Sequence, residues 1–212
     1  MPTRLEMSFV AAVLLCAAAG FLLFASAPAS AHVGDLGYKW GNNTASASNA
    51  DDHTPPANGW TAAIAAAVAD WNNSTALNPN MQPTTNPNEH HYFDGNYGNN
   101  GWFGAANVYS GGTLCGSPGT GVTGLCNKTT VTANNAIYNL NNYYFSPWAG
   151  SYSIVYEKQR TAAHELGHAY GLSHPTCGDA ALMSVSGCWY PSQPPNNGVV
   201  AHDVGHVNAL GY

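Results

Sequence analysis

Apolar positions recur with a helical period in some stretches of the chain and cluster as strands in others. From Trp60 to Trp71 the segment WTAAIAAAVADW places Trp60, Ile64, Val68 and Trp71 at steps of four and three. That spacing predicts an amphipathic helix with one core-facing stripe. The same period returns from Ser153 to Tyr170, and Val199 to Leu210 reads as a short final helix. Gly37 to Trp40, Trp102 to Tyr109 and Ala136 to Phe145 are aromatic and aliphatic and predict strands, the last two bracketing a Gly-rich connection that carries Cys115 and Cys126. The turn-rich stretch around Pro55-Pro56 and the Asn-, Pro- and Gly-rich residues 72–101 predict loop, interrupted by His90-His91-Tyr92-Phe93. No internal repeat and no inter-domain linker stand out.

The amino-terminal stretch follows a different logic. Arg4 precedes an apolar run from Phe9 to Ala25, and Ala29-Ser30-Ala31 fits small-residue cleavage. Residues 1–31 therefore read as a secretory signal peptide, with an uncleaved membrane anchor as the competing reading. Cys16 follows Leu14-Leu15 rather than a small residue, which disfavours lipid anchoring. The expected mature product is one domain, residues 32–212, secreted, with no membrane association after signal cleavage, and monomeric.

Composition narrows the function further. Charged residues make up 8% of the chain, against roughly 25% in an average soluble domain, and the formal net charge is −6. With no basic stripe, nucleic acid is not an expected partner. Export leaves Cys115, Cys126, Cys177 and Cys188, an even number for an oxidising compartment. Three pairings are possible; the local pairs 115–126 and 177–188 close the shortest loops and are favoured over thiolate metal ligation.

The chemistry concentrates in His164-Glu165-Leu166-Gly167-His168. On a helix the two imidazoles lie one turn apart on one face, where both can bind a single ion, while Glu165 can reach a water on that ion. Gly171 and His174 follow, completing H-E-x-x-H-x-x-G-x-x-H. A continuous helix would carry His174 about 15 Å along the axis from His164, so the chain must turn back. Glycine at position 171 permits this, because it takes the left-handed conformation at little cost. At this chain's composition the extended pattern arises by chance roughly 3×10⁻⁵ times. Three neutral imidazoles leave one tetrahedral position for water, the mark of a catalytic rather than a structural Zn²⁺ site. Zinc lowers that water's pKa towards ~7, and Glu165 can take its proton and deliver it to a leaving amine.

The stretch from His164 to His174 resembles the extended zinc signature of the metzincin clan of metalloendopeptidases. Met183, in Ala181-Leu182-Met183-Ser184, sits where that clan has its Met-turn. The resemblance implies an α+β, metzincin-like fold: a twisted mixed β-sheet, an active-site helix and a small C-terminal subdomain, which the 177–188 pair would staple. It also implies zinc ligation by His164, His168 and His174, general-base catalysis by Glu165, a supporting role for Met183 and a hydrogen-bonding support from Asp203 to the Met-turn. Pro175 is similar to the serralysin-like pattern, but Val185 stands where that family has a tyrosine, and Tyr190 is a candidate substitute. Trp102 to Ala106 and the following strand look like the matrixin-like edge strand, on which an extended substrate adds as a further strand. The likeness spans residues 36–212.

The expected function is therefore a secreted zinc-dependent endopeptidase, using one catalytic Zn²⁺ and taking protein or peptide substrates. A zinc hydrolase of a non-protein amide and a non-catalytic zinc-binding module are the alternatives. Residues 146–152 and 184–198 are expected to shape the substrate pocket. His202-Asp203-x-x-His206 repeats the histidine spacing but reads better as part of the last helix. His90 and His91, adjacent on a strand, point to opposite faces and do not readily share an ion; secondary zinc or calcium chemistry alongside Asp94 is the lesser reading, and a structural calcium ion is not assignable to residues.

Overall fold

The computed structural model describes residue 36 and residues 38–41, 49–75, 80–81, 89–116, 131–145, 154–175, 181–184 and 198–210. By its contacts the chain divides into Met1–Ala31 and His32–Tyr212. The first unit, with the expected signal peptide, lies outside the described residues. Among the described residues no helix is long and apolar enough to cross a membrane.

The second unit is α+β. Its strands are β1 (Tyr38–Trp40), β2 (Asn49–Asp52), β3 (Asn80–Met81), β4 (His90–Gly95), β5 (Gly104–Ser110), β6 (Thr113–Gly116), β7 (Val131–Ala133) and β8 (Asn135–Asn141). Its helices are α1 (Thr61–Ser74), α2 (Ile154–Ala169) and α3 (Ala201–Ala209). Among the described residues six strands form a mixed sheet in the order β3-β2-β4-β8-β5-β6. β3, β2, β4 and β8 run parallel to one another, whereas β5 is antiparallel to β8 and to β6. β1 and β7 form a separate parallel pair.

One sheet face carries the core. Ala50, His90, Tyr92, Ala106, Val108, Ala136, Tyr138 and Leu140 are buried there, each separated from the next on its strand by one residue, as the two-residue strand period requires. α1 buries Ala63, Ile64, Ala67, Val68 and Trp71. Trp71 Nε1 donates to Ala163 O of α2 at 2.9 Å, locking the helices together, and Trp60 at the start of α1 donates to Asn142 Oδ1 at 2.6 Å. His90 is fully buried between Trp40, stacked at 3.9 Å, and the Tyr138 hydroxyl at 2.6 Å. Burial holds its pKa down at about 3, so it is a neutral core residue.

The turn-rich stretch contains β2, whose residues Asn-Ala-Asp-Asp carry almost no strand signal; the ladder from β4 supplies what local propensity does not. Within residues 72–101 the interruption expected at His90–Phe93 is His90–Gly95, a central strand held in register by β2 and β8. The strand expected to run to Phe145 ends at Asn141, where Asn142–Phe145 coil into a 3₁₀ turn. β1 joins β7 rather than the main sheet. Cys115 is buried, while Cys126, Cys177 and Cys188, and with them both expected pairings, lie outside the described residues.

Candidate metal and catalytic site

The helix α2 delivers His164 and His168, and the chain turns immediately after it. Gly171 N donates to His168 O at 3.0 Å and Leu172 N to Gly167 O at 3.1 Å, the paired bonds of a Schellman turn with Gly171 at its left-handed position, φ +89°. A Cβ on Gly171 would run into the Tyr38 carbonyl oxygen, so only glycine lets β1 pass this close. The reversal brings His174 back over the helix.

His174 Nε2 lies 3.0 Å from His164 Nε2 and 3.0 Å from His168 Nε2. Each helical imidazole is aimed by its other nitrogen: His164 Nδ1 donates to Leu182 O at 2.9 Å and His168 Nδ1 to Leu172 O at 2.8 Å. A carbonyl only accepts, so both Nδ1 atoms carry the proton and both Nε2 atoms present lone pairs. Burial disfavours a second proton, lowering the pKa of His164 to about 3, that of His168 well below its ordinary value, and that of His174 in the same direction. His174 can offer at most one N–H to two lone pairs. Three imidazole nitrogens therefore converge without enough protons to satisfy one another, the arrangement a divalent cation resolves. Backbone carbonyls placed in this way fix the tautomer of histidines that bind metals.

Glu165 lies beneath β5 and is 4% exposed. Its carboxylate accepts a hydrogen bond from the Ala106 backbone N–H, while Oε2 is buried with no hydrogen-bond partner. Desolvation pushes its pKa up to about 8, the Ala106 bond opposing the shift. Gly104 makes the approach possible, since a Cβ there would stand 2.8 Å from Glu165 Cγ and Oε1 and 2.9 Å from Thr161 Cγ2. Asn141, fully buried, holds the loop leading into β5: its side chain donates to Gly98 O and Trp102 O and accepts from Tyr97 N. Gly104, Ala106 and Asn141 carry no local sequence signal for this role.

The Trp102–Tyr109 edge expectation needs one correction. Among the described residues the sheet edge is β6, which pairs with β5 over Val108–Ser110, and no strand pairs with Gly104–Ala106 on the side away from β8.

Beneath the histidines, residues 181–184 form a turn closed by Ser184 N to Ala181 O at 3.2 Å. Asp203 on α3 accepts from Leu182 N at 3.1 Å, Met183 N at 3.4 Å and Val200 N at 3.1 Å. It thus places the carbonyl that orients His164. Met183 is buried against Gly167, where a Cβ would collide with its sulfur. His202 and His206 sit on α3 with ring centroids 4.8 Å apart, and Asp203 between them is spent on the turn. Asp94 binds Asn58 and Asn142 and does not meet His91. Val185, Tyr190, residues 146–152, and residues 184–198 apart from Ser184 and Gly198 lie outside the described residues.

Compared with known proteins, the chain matches no family model and no curated sequence.

Proposed function

We propose that the protein is a secreted zinc-dependent endopeptidase of the metzincin type. The observation that carries this reading is the convergence of three Nε2 atoms, two of them aproton by virtue of their carbonyl bonds, next to a buried glutamate. His164, His168 and His174 would hold the ion; imidazole nitrogens are ordinary Zn²⁺ donors. When bound, Zn²⁺ supplies Lewis-acid activation of water and of a substrate carbonyl.

The chain's own residues do the rest. Glu165 has one oxygen fixed by Ala106 N–H and the other free, so Oε2 is the atom that accepts a proton and later returns it to the leaving amine. Burial shields that carboxylate from bulk water. Among the described residues no strand pairs with Gly104–Ala106 on the side away from β8, and that backbone supports an extended polypeptide substrate over a compact amide. The turn at 181–184 and Asp203 keep His164 aimed.

The test is hydrolysis of a mixed quenched-peptide library by residues 32–212, run beside Glu165→Ala and beside chelator-treated protein. Cleavage lost in both controls supports the reading. Zinc binding without any cleavage would favour a non-catalytic module or a non-peptide amide hydrolase.

A further inference from the structure

The sheet face turned away from α2 gathers a second set of donors. In β4 His90 and Tyr92 face the core, so His91 and Phe93 face outward. Asp51 of β2 stands in parallel register with His91. His53 follows two residues later and therefore on the same face, with its N–H continuing the ladder to Tyr92 O at 2.9 Å. His53 Nε2 lies 3.1 Å from His91 Nδ1 and 3.2 Å from Asp51 Oδ2. One donor atom from each residue falls within 4.8 Å of the others.

We propose that Asp51, His53 and His91 form a second divalent-cation site, of the Zn²⁺ class, that clamps β2 to β4. Three arguments support it. A single ring nitrogen, His53 Nε2, faces both a ring nitrogen and a carboxylate oxygen, so its one proton reaches both only as a shared, weakened bond, whereas a cation takes a lone pair from each of the three residues. Tetrahedral zinc with bonds of about 2.0–2.1 Å holds neighbouring donors about 3.3 Å apart, close to both observed separations. Two imidazoles with one carboxylate suit Zn²⁺ and its neighbours in the transition series, whereas calcium and magnesium prefer oxygen donors throughout. The His53 ring is already ordered, stacked on Phe93 at 4.5 Å with planes 6° apart. The Asp51 side chain is 11% exposed and the His53 side chain 37%, so the carboxylate is held while the mouth stays open to solvent. Placed across two strands 38 residues apart in sequence at the histidines, the ion acts as a structural staple, on the opposite sheet face from Glu165.

The test is zinc stoichiometry of the full chain, by equilibrium titration with Zn²⁺ alone and by the ligand-field absorption of substituted Co²⁺. The expected result is two equivalents for wild type, one for His53→Ala/His91→Ala and one for His164→Ala/His168→Ala. Asp51→Asn, a milder change, should weaken the second equivalent at least tenfold and abolish the rise in melting temperature that it produces, with an unchanged far-ultraviolet circular dichroism spectrum. A single equivalent in wild type that survives His53→Ala/His91→Ala overturns the proposal. Failure of the helix-borne site would show differently, as a count that His164→Ala/His168→Ala leaves untouched.

Discussion

Two histidine clusters lie on opposite faces of one sheet, and they differ in what stands behind each imidazole. On α2 the rings of His164 and His168 are each backed by a carbonyl oxygen, and the neighbouring carboxylate of Glu165 is kept out of the set, buried against β5. On β2 and β4 the carboxylate of Asp51 is itself a member of the set, and His53 is braced by an aromatic ring. The first arrangement separates the tasks of holding an ion and moving a proton; the second spends its carboxylate on holding. Under the two proposals, that separation is what would distinguish a site that reacts from one that fastens.

Removing the separated base should have the largest effect. Glu165→Gln is expected to lower kcat/KM on peptides by about 10²–10⁴-fold, the usual worth of a positioned general base, while the zinc count stays unchanged. Equal losses of zinc and activity would instead make Glu165 a structural residue.

The turn that creates the helix-borne cluster comes next. Gly171→Ala places a Cβ against Tyr38 O in a left-handed backbone, so the reversal must open. Melting temperature and zinc affinity should fall together, with about 1–2 kcal/mol lost to backbone strain alone and more to the collision. Gly167→Ala meets Met183 sulfur and the Trp71 ring, and overpacking of this kind costs about 1–3 kcal/mol. Thermal denaturation of both variants ranks the two contacts.

Asp203→Ala tests the support from below. It unpairs Leu182, Met183 and Val200 N–H groups, and hydrogen bonds to a charged acceptor are worth about 1.5–3 kcal/mol each where buried. A drop in stability with a weaker zinc affinity is expected; an unchanged zinc affinity would detach the 181–184 turn from the aim of His164.

At neutral pH the smallest effect belongs to a core histidine. His90 has a folded pKa depressed to about 3 against 6.5 unfolded, so at pH 7 both states are neutral and it contributes nothing to the pH dependence. As pH falls below 6.5 the unfolded chain takes the proton that the folded chain refuses, and stability is lost until about pH 3. In metal-free protein His90→Gln should reduce the acid slope by about 1.4 kcal/mol per pH unit, one proton's worth, as read by denaturant titrations at several pH values.

What was legible in the chain was local. Trp60, Ile64, Val68 and Trp71 announce α1 because a helix repeats its face within four residues. His164 to His174 announces the helix-borne cluster because its members lie within eleven residues and the one long-range demand, a reversal, is met by Gly171. What was not legible depends on partners far along the chain. β2 is polar and becomes a strand by pairing with β3 and β4. Ala106 reaches Glu165 by its backbone, where residue identity leaves no trace. Asp51 and His53 acquire meaning only when the parallel register sets His91 beside them, across 38 residues between the histidines.

The most direct test of the account is to titrate Zn²⁺ into chelator-treated protein while following peptide cleavage and melting temperature in the same samples. Cleavage should rise to completion with occupancy of the helix-borne cluster, be absent throughout in His164→Ala/His168→Ala and persist in His53→Ala/His91→Ala. Full cleavage before any zinc is added, or cleavage in the His164→Ala/His168→Ala protein, would contradict the claim that these histidines hold the catalytic ion.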